Sequence, residues 1–355
     1  MDQYGVLLAL TRLGIGHGNI ETIREVDWRV IQGLAYKQGL SAIILDGIDK
    51  LPEALRPQKE LTLKWVGEIL QNYEQLYVQY QNSLFEMVSF YGSHGLKIMV
   101  LKGYACSLDW PKPNHRPCGD IDIWQFGKQK EADDLIEKEK KIRVDASHHH
   151  HTIFNWGDFI VENHYDFIDI HHRKSGVKLE ALFKQLGEDD SHYVDLNGEK
   201  LYMPSPKLHA LFLVYHTMLH FTSTEMTIRQ ILDWGFFVER HNKEVDWEWL
   251  QRMLNEYHLV EFFNILNAIC VDDLGFDTAI FPYIQFNPNL KDRILKDTFN
   301  PEFNEKEPSN VIRRFFFRYR RWKSHEWKHK LCYKESMASI FMSAVWSHLL
   351  KPSTI

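Results

Sequence analysis

Five residues, Asp120-Ile121-Asp122-Ile123-Trp124, alternate polar and apolar with a period of two. That period belongs to a β-strand, in which successive side chains leave on opposite faces. The two carboxylates then share one face, while Ile121 and Ile123 anchor the other in a core. A strand of this kind needs neighbours. Lys97-Ile98-Met99-Val100-Leu101, a short apolar run after Gly95, reads as a buried strand. Tyr165-Asp166-Phe167-Ile168-Asp169-Ile170-His171 reads as a third, again alternating. Val194-Asp195-Leu196 and Lys200-Leu201-Tyr202-Met203 flank Asn197-Gly198, a dipeptide suited to a type I′ hairpin turn.

On both sides of this centre the period changes to that of a helix. Leu61, Trp65, Ile69, Tyr73, Leu76, Tyr80, Leu84, Met87 and Tyr91 advance by three or four residues and draw one apolar stripe, ending at Gly92-Ser93-His94-Gly95. After Pro204 and Pro206, stripes recur at Leu208, Leu211, Phe212, Tyr215 and Leu219, then at Ile228, Ile231, Leu232 and Val238. Further helical patterns cover roughly 246–274 and 310–350. The expectation is an α+β protein: an N-terminal helical region over 1–92, a core with a small mixed sheet over 93–204, and a C-terminal helical domain over 205–355.

Composition closes several alternatives. A net charge of -6 argues against a surface that grips nucleic acid throughout. No apolar run of about 18 residues is present, so no membrane span is expected. The start of the chain lacks the basic and apolar regions of a secretory signal. Cys106, Cys118, Cys270 and Cys332 are scattered and read as reduced thiols in a cytoplasmic protein.

The paired aspartates carry the chemistry. Two carboxylates on one face repel each other unless a cation neutralises them, and hard oxygen donors suit Mg²⁺, with Mn²⁺ as a substitute. Asp169, between Ile168 and Ile170 on the expected third strand, would complete a face able to hold two ions. Asp120, Asp122 and Asp169 are therefore the candidate catalytic and metal-binding residues. Upstream, Leu101-Lys102-Gly103 ends a strand where a helix is expected to open, and backbone amides there can approach phosphate oxygens. Lys102, Gly103 and Arg116 are the candidate triphosphate contacts.

The ordered set Val100-Leu101-Lys102-Gly103, Arg116-Pro117 and Gly119-Asp120-Ile121-Asp122-Ile123 resembles the uncharacterised bacterial nucleotidyltransferases of the DNA-polymerase-β superfamily. Asp169-Ile170-His171 matches the acidic-aliphatic-histidine order of that family's later strand. The likeness runs on through the Asn197-Gly198 hairpin and the helix bearing His216 and His220 to Ile228-Arg229-Gln230-Ile231-Leu232-Asp233-Trp234. It implies a polymerase-β-like core and transfer of an NMP group from an NTP such as ATP to an acceptor hydroxyl, with release of pyrophosphate. The acceptor (small molecule, protein or RNA) is left open. Tyr104 follows Gly103 where the superfamily usually has a second glycine or a serine, which keeps an inactive nucleotide-binding protein of the same fold as an alternative.

Other clusters have plainer readings. His148–His151 read as a mobile polar loop near the site. His216 and His220, one turn apart, lack the glutamate of a zinc-protease helix and read as structural or substrate-lining. Arg229 and Asp233 read as a helical ion pair. The stretch Arg313–Lys323 mixes cations with aromatics. It reads as an amphipathic helix with its aromatics, Phe316 among them, packed inward, and nucleic-acid contact as the alternative.

Overall fold

In a computed structural model, the described residues are 2–19, 23, 25–170, 174–196, 198–223, 225–282 and 285–334. The chain divides into two compact units: one holds residues up to 55, 213–242 and those from 246 on, the other 56–212 with 243–245. These units cut across the three consecutive regions expected from the sequence, because the first helices group with the last ones.

The second unit is built on a six-stranded mixed sheet. Its strands are β1 (Ile98–Val100), β2 (Ile121–Trp124), β3 (His151–Trp156), β4 (Phe159–His164), β5 (Tyr193–Leu196) and β6 (Glu199–Tyr202), in the order β3-β4-β2-β1-β6-β5. β2 runs parallel to β4 and antiparallel to β1, and β1 runs parallel to β6. The hairpins β3-β4 and β5-β6 close the two edges.

Four of the five expected strands match. The third does not: residues 165–170 form no strand, and His171 lies outside the described residues. The strand beside β2 is instead Phe159–His164, which reaches β3 through the two-residue turn Gly157-Asp158. Asn197 of the second hairpin also lies outside the described residues. Gly198 beside it has φ +97°.

The faces of the sheet follow from the pleat. Ile121, Ile123 and Val161 point to one side and pack against Ala132 and Ile136 of the helix Gln129–Glu139 and against Tyr80, Leu84, Met87 and Tyr91 of the helix Leu76–Ser93. Asn163 shares that side. It is fully buried because its amide donates to Asp133 Oδ1 at 2.8 Å, while Thr152 Oγ1 donates to Asp133 Oδ2 at 2.9 Å. The stripe read over Leu61–Tyr91 is present, but a π-helical stretch, Leu70–Gln75, interrupts it between the helices Lys59–Ile69 and Leu76–Ser93. The opposite face is covered near Trp124 by Phe167 and by the helix Lys174–Gly187, whose Phe183 stacks on Phe167. Burial on both sides of β2 leaves Asp122 only 5% exposed.

The first unit is helical. Gly14 and Gly47 let the helices Gln3–Ile15 and Ser41–Asp49 touch backbone to backbone, since a Cβ on either would lie 2.1 Å from Ile43 O or 2.4 Å from Leu10 O. The basic aromatic stretch is the helix Val311–Ser324. Its packed residue is Phe317, against Phe303, whereas Phe316 is 59% exposed. The inward position differs from the expected one because consecutive helical residues lie on different sides. Of the helical pattern read over roughly 310–350, the residues from 335 on lie outside the described residues. Among the described residues no helix is long and apolar enough to cross a membrane, and all four cysteines are free thiols.

Candidate functional site

Strand register assembles a polar corner on the face opposite the isoleucines. Parallel pairing sets Asp122 beside Glu162 and Trp124 beside His164, and antiparallel pairing sets His151 beside His164. Because side chains at paired positions leave on the same face, Asp122, Glu162, His164 and His151 emerge together. Donor atoms of Asp122, Glu162 and His164 all lie within 4.8 Å of one another. Asp120 precedes the first residue of β2 and is exposed.

Asp122 is the hub. Its Oδ1 accepts from Lys102 Nζ at 2.7 Å and lies 3.2 Å from His164 Nε2. Burial alone would raise the Asp122 carboxyl, but Lys102 and His164 outweigh it and hold it well below the usual carboxylate range. His164 shows the reciprocal effect. Burial disfavours its charged form, yet Asp122 and Glu162, the latter at 3.5 Å, push its pKa above the ordinary histidine value. Glu162 is lowered chiefly by its contact with His164. Asp120 is raised, first by shielding from water and then by the negative charges of Glu162 and Asp122. Part of that last shift is like-charge repulsion among neighbouring carboxylates, second to the effect of burial.

The other expected contacts fall as follows. Lys102 points at Asp122. Gly103 has φ +55°, and a Cβ there would stand 2.3 Å from the Tyr80 hydroxyl, so the turn admits glycine alone. The helix it opens is one turn long, Tyr104–Ser107. Arg116 is buried at 5% exposure, with Nη1 donating to Pro117 O at 3.4 Å, and its charge acts on Tyr77, Tyr80 and Cys118. Asp169 follows β4 as an exposed residue, and its charge bears on His150 and Tyr165; it is not among the group formed by Asp122, Glu162 and His164.

Sequence reasoning passed over Glu162 and His164. A signal was present: Glu162-Asn163-His164 carries the same acidic-x-histidine order as Asp169-Ile170-His171. Asn163 hid it, because a polar residue at the inward position breaks the apolar alternation. Its hydrogen bond to Asp133, which makes that position habitable, comes from another element.

The histidine run is also better organised than a mobile loop. Tyr165 Oη donates to His148 O at 2.9 Å, and the amides of Tyr165 and Asp166 both donate to His150 O at 3.1 Å. His151 is the first residue of β3. His216 and His220 lie ring to ring, with centroids 4.6 Å apart. In the helix Val311–Ser324, Arg318 and Arg320 pair with Glu307 and Glu305 at 3.4 and 2.6 Å.

Comparison with curated proteins and with solved structures returned no match. The sequence model of the uncharacterised nucleotidyltransferase family matches residues 24–272, spanning the whole sheet and well over half of the chain, and the chain belongs to that family.

Proposed function

We propose that this chain is a divalent-cation-dependent nucleotidyltransferase with a polymerase-β-like core, moving an NMP group from an NTP to an acceptor hydroxyl and releasing pyrophosphate. The observation that carries this reading is the register of β2 against β4, which sets Glu162 beside Asp122, the carboxylate that Lys102 contacts. Asp120, Asp122 and Glu162 offer oxygen donors at one corner of the sheet, and the carboxyl of Asp120 is raised by burial and then by the charges of Glu162 and Asp122. Such a donor set fits Mg²⁺ or Mn²⁺, as one ion or as a pair. When bound, the metal lowers the pKa of the attacking hydroxyl and stabilises charge on the departing pyrophosphate.

The rest falls to the chain itself. Glu162 takes the third carboxylate position that the sequence assigned to Asp169. Asp169 is left at the rim, on the acceptor side. Lys102 keeps Asp122 ionised and brings positive charge to the place where a triphosphate is met. Gly103, pressed against Tyr80, keeps the backbone bare for approach of a phosphate. Arg116 acts from within, its charge felt by Tyr77 and Tyr80 behind that turn. The Lys102–Asp122 contact also supports a second reading, a nucleotide-binding protein without turnover, since it engages an oxygen that a cation would need.

The deciding experiment is incubation with each of four labelled NTPs, Mg²⁺ or Mn²⁺, and a cell extract, following pyrophosphate and the label. Pyrophosphate release that disappears in Asp122→Asn and Glu162→Gln supports transfer. NTP binding without pyrophosphate under every condition supports the second reading.

A further inference from the structure

Beside the carboxylates lies a second group of potential ligands. One ring nitrogen each from His150, His151 and His164 falls within 4.8 Å of the others. Ring centroids are 4.3 Å apart for His150 and His151, 5.3 Å for His151 and His164, and 5.6 Å for His150 and His164. We propose that these three imidazoles form a binding site for a transition metal of the Zn²⁺ class, separate in chemistry from the carboxylate site and meeting it at His164.

Four observations support it. First, the donor set is three nitrogens, which suits Zn²⁺ and its neighbours and not Mg²⁺. A tetrahedral ion with Zn–N bonds of about 2.0–2.1 Å holds its ligand nitrogens roughly 3.4 Å apart, so rotation of the rings from their present separation would close the site. Second, His151 is 7% exposed, and its Nδ1 is buried with no hydrogen-bond partner. An interior polar atom left in that state is costly unless something meets it. Third, the supports seen around metal-binding histidines are present. His164 Nδ1 lies 3.2 Å from Asp166 O, which leaves Nε2 as the outward nitrogen, and the His150 carbonyl is tied by two amides. Fourth, the charge is right: Glu162 stands 4.0 Å from His151 and 3.5 Å from His164, ready to offset a dication that displaces the proton on His164.

A consequence follows from the shared residue. With Nδ1 facing Asp166, His164 has one nitrogen to offer. Filling the imidazole site draws Nε2 away from Asp122 and Glu162.

The test uses the full-length chain, stripped with a chelator and titrated with Zn²⁺ by calorimetry and with Co²⁺ by its visible spectrum. One ion per chain is expected, with the intense bands of four-coordinate Co²⁺, and it should withstand millimolar Mg²⁺. His150→Ala, at a half-buried position where folding should survive, is expected to weaken binding at least about 10–100-fold. Exposed His149→Ala should leave it unchanged, and Glu162→Gln should still bind. The proposal is overturned if Zn²⁺ binding is absent, if His150→Ala binds as the wild type does, if His149→Ala alone removes it, or if Mg²⁺ displaces the ion. Circular dichroism on each variant separates lost binding from lost fold. None of these readouts requires nucleotidyl transfer, so failure of that reading leaves this one standing, and the reverse.

Discussion

Each unit of the molecule contains a lysine set against a buried aspartate, and the two pairs are built to opposite ends. In the helical unit Lys328 Nζ lies 2.5 Å from Asp297 Oδ2, with side chains 2% and 6% exposed. The ammonium also sits 5.0 Å from the centre of the Phe221 ring, and the other Asp297 oxygen accepts the Glu302 amide at 3.0 Å. The two opposite charges are held against each other with almost no side-chain exposure. In the sheet unit the Lys102 side chain is 21% exposed, and around Asp122 stand Asp120, Glu162 and His164. There the acids outnumber the lysine and one side is open. A balanced, sealed pair is architecture. An unbalanced, open one leaves a surplus of carboxylates, the feature on which the proposed cation site rests.

The sharpest way to break this contrast is to remove one partner of the sealed pair. Lys328→Ala should destabilise the protein by about 3–5 kcal/mol in denaturant unfolding, because Asp297 is left buried and uncompensated. Replacing both partners with apolar residues should recover most of that loss. If the double variant is as unstable as the single, burial of unpaired charge is not what Lys328 prevents.

At the open corner the large effect is expected on chemistry. Asp122→Asn and Glu162→Gln should each lower pyrophosphate release by on the order of 10²–10³-fold, the scale for losing a group that stabilises transition-state charge. Asp169→Asn should cost roughly tenfold or less, as a change in positioning. Equal losses at Glu162 and Asp169 would return Asp169 to the metal site and remove Glu162's claim to the third position.

A third acid tests what surplus charge does where no opening exists. Glu180 is 3% exposed and accepts the amides of Phe167 and Ile168 at 3.1 and 3.0 Å, while Lys184, 3.7 Å away, is engaged by Asp166. Burial pushes its carboxyl up to about 7. The folded-state pKa is raised, so its contribution to stability is present below the unfolded value of about 4.3 and is lost as pH rises through about 7. Stability measured by urea should therefore fall across that window, and Glu180→Gln should flatten the slope. An unchanged slope would mean that Glu180 is ionised throughout.

The smallest effect is expected on the surface of the helical unit. Phe316→Ala should change stability by no more than about 0.5 kcal/mol. Phe317→Ala should cost about 3–5 kcal/mol. The reverse order in thermal unfolding would restore the inward role that the sequence pattern gave to Phe316.

Much of this was legible in advance, and the failures share a cause. The Leu61–Tyr91 stripe, β1, β2 and the β5-β6 hairpin each announce themselves within about thirty residues of chain, through a period or a turn dipeptide. The β3-β4 hairpin carried a usable Gly157-Asp158 signal, yet four histidines at its start and Asn163 within it masked the alternation. Asn163 is tolerated because Asp133, on a helix 30 residues earlier, receives its amide. No local window contains that fact.

By itself, then, the sequence determined the period of each segment, the shared face of Asp120 and Asp122, the glycine that the turn at position 103 requires, and, through its motifs, the family. The tertiary structure decided that Glu162 lies beside Asp122, that histidines from two strands meet, and that the first helices group with the last. The physical reason is register. β2 and β4 are parallel and joined through a long crossover, so nothing in either strand states which residue faces which. A slip of one position would put Asn163 beside Asp122 and turn Glu162 toward the isoleucines. The buried bond between Asn163 and Asp133 and the packing of Val161 exclude that slip, and with them the fold selects Glu162.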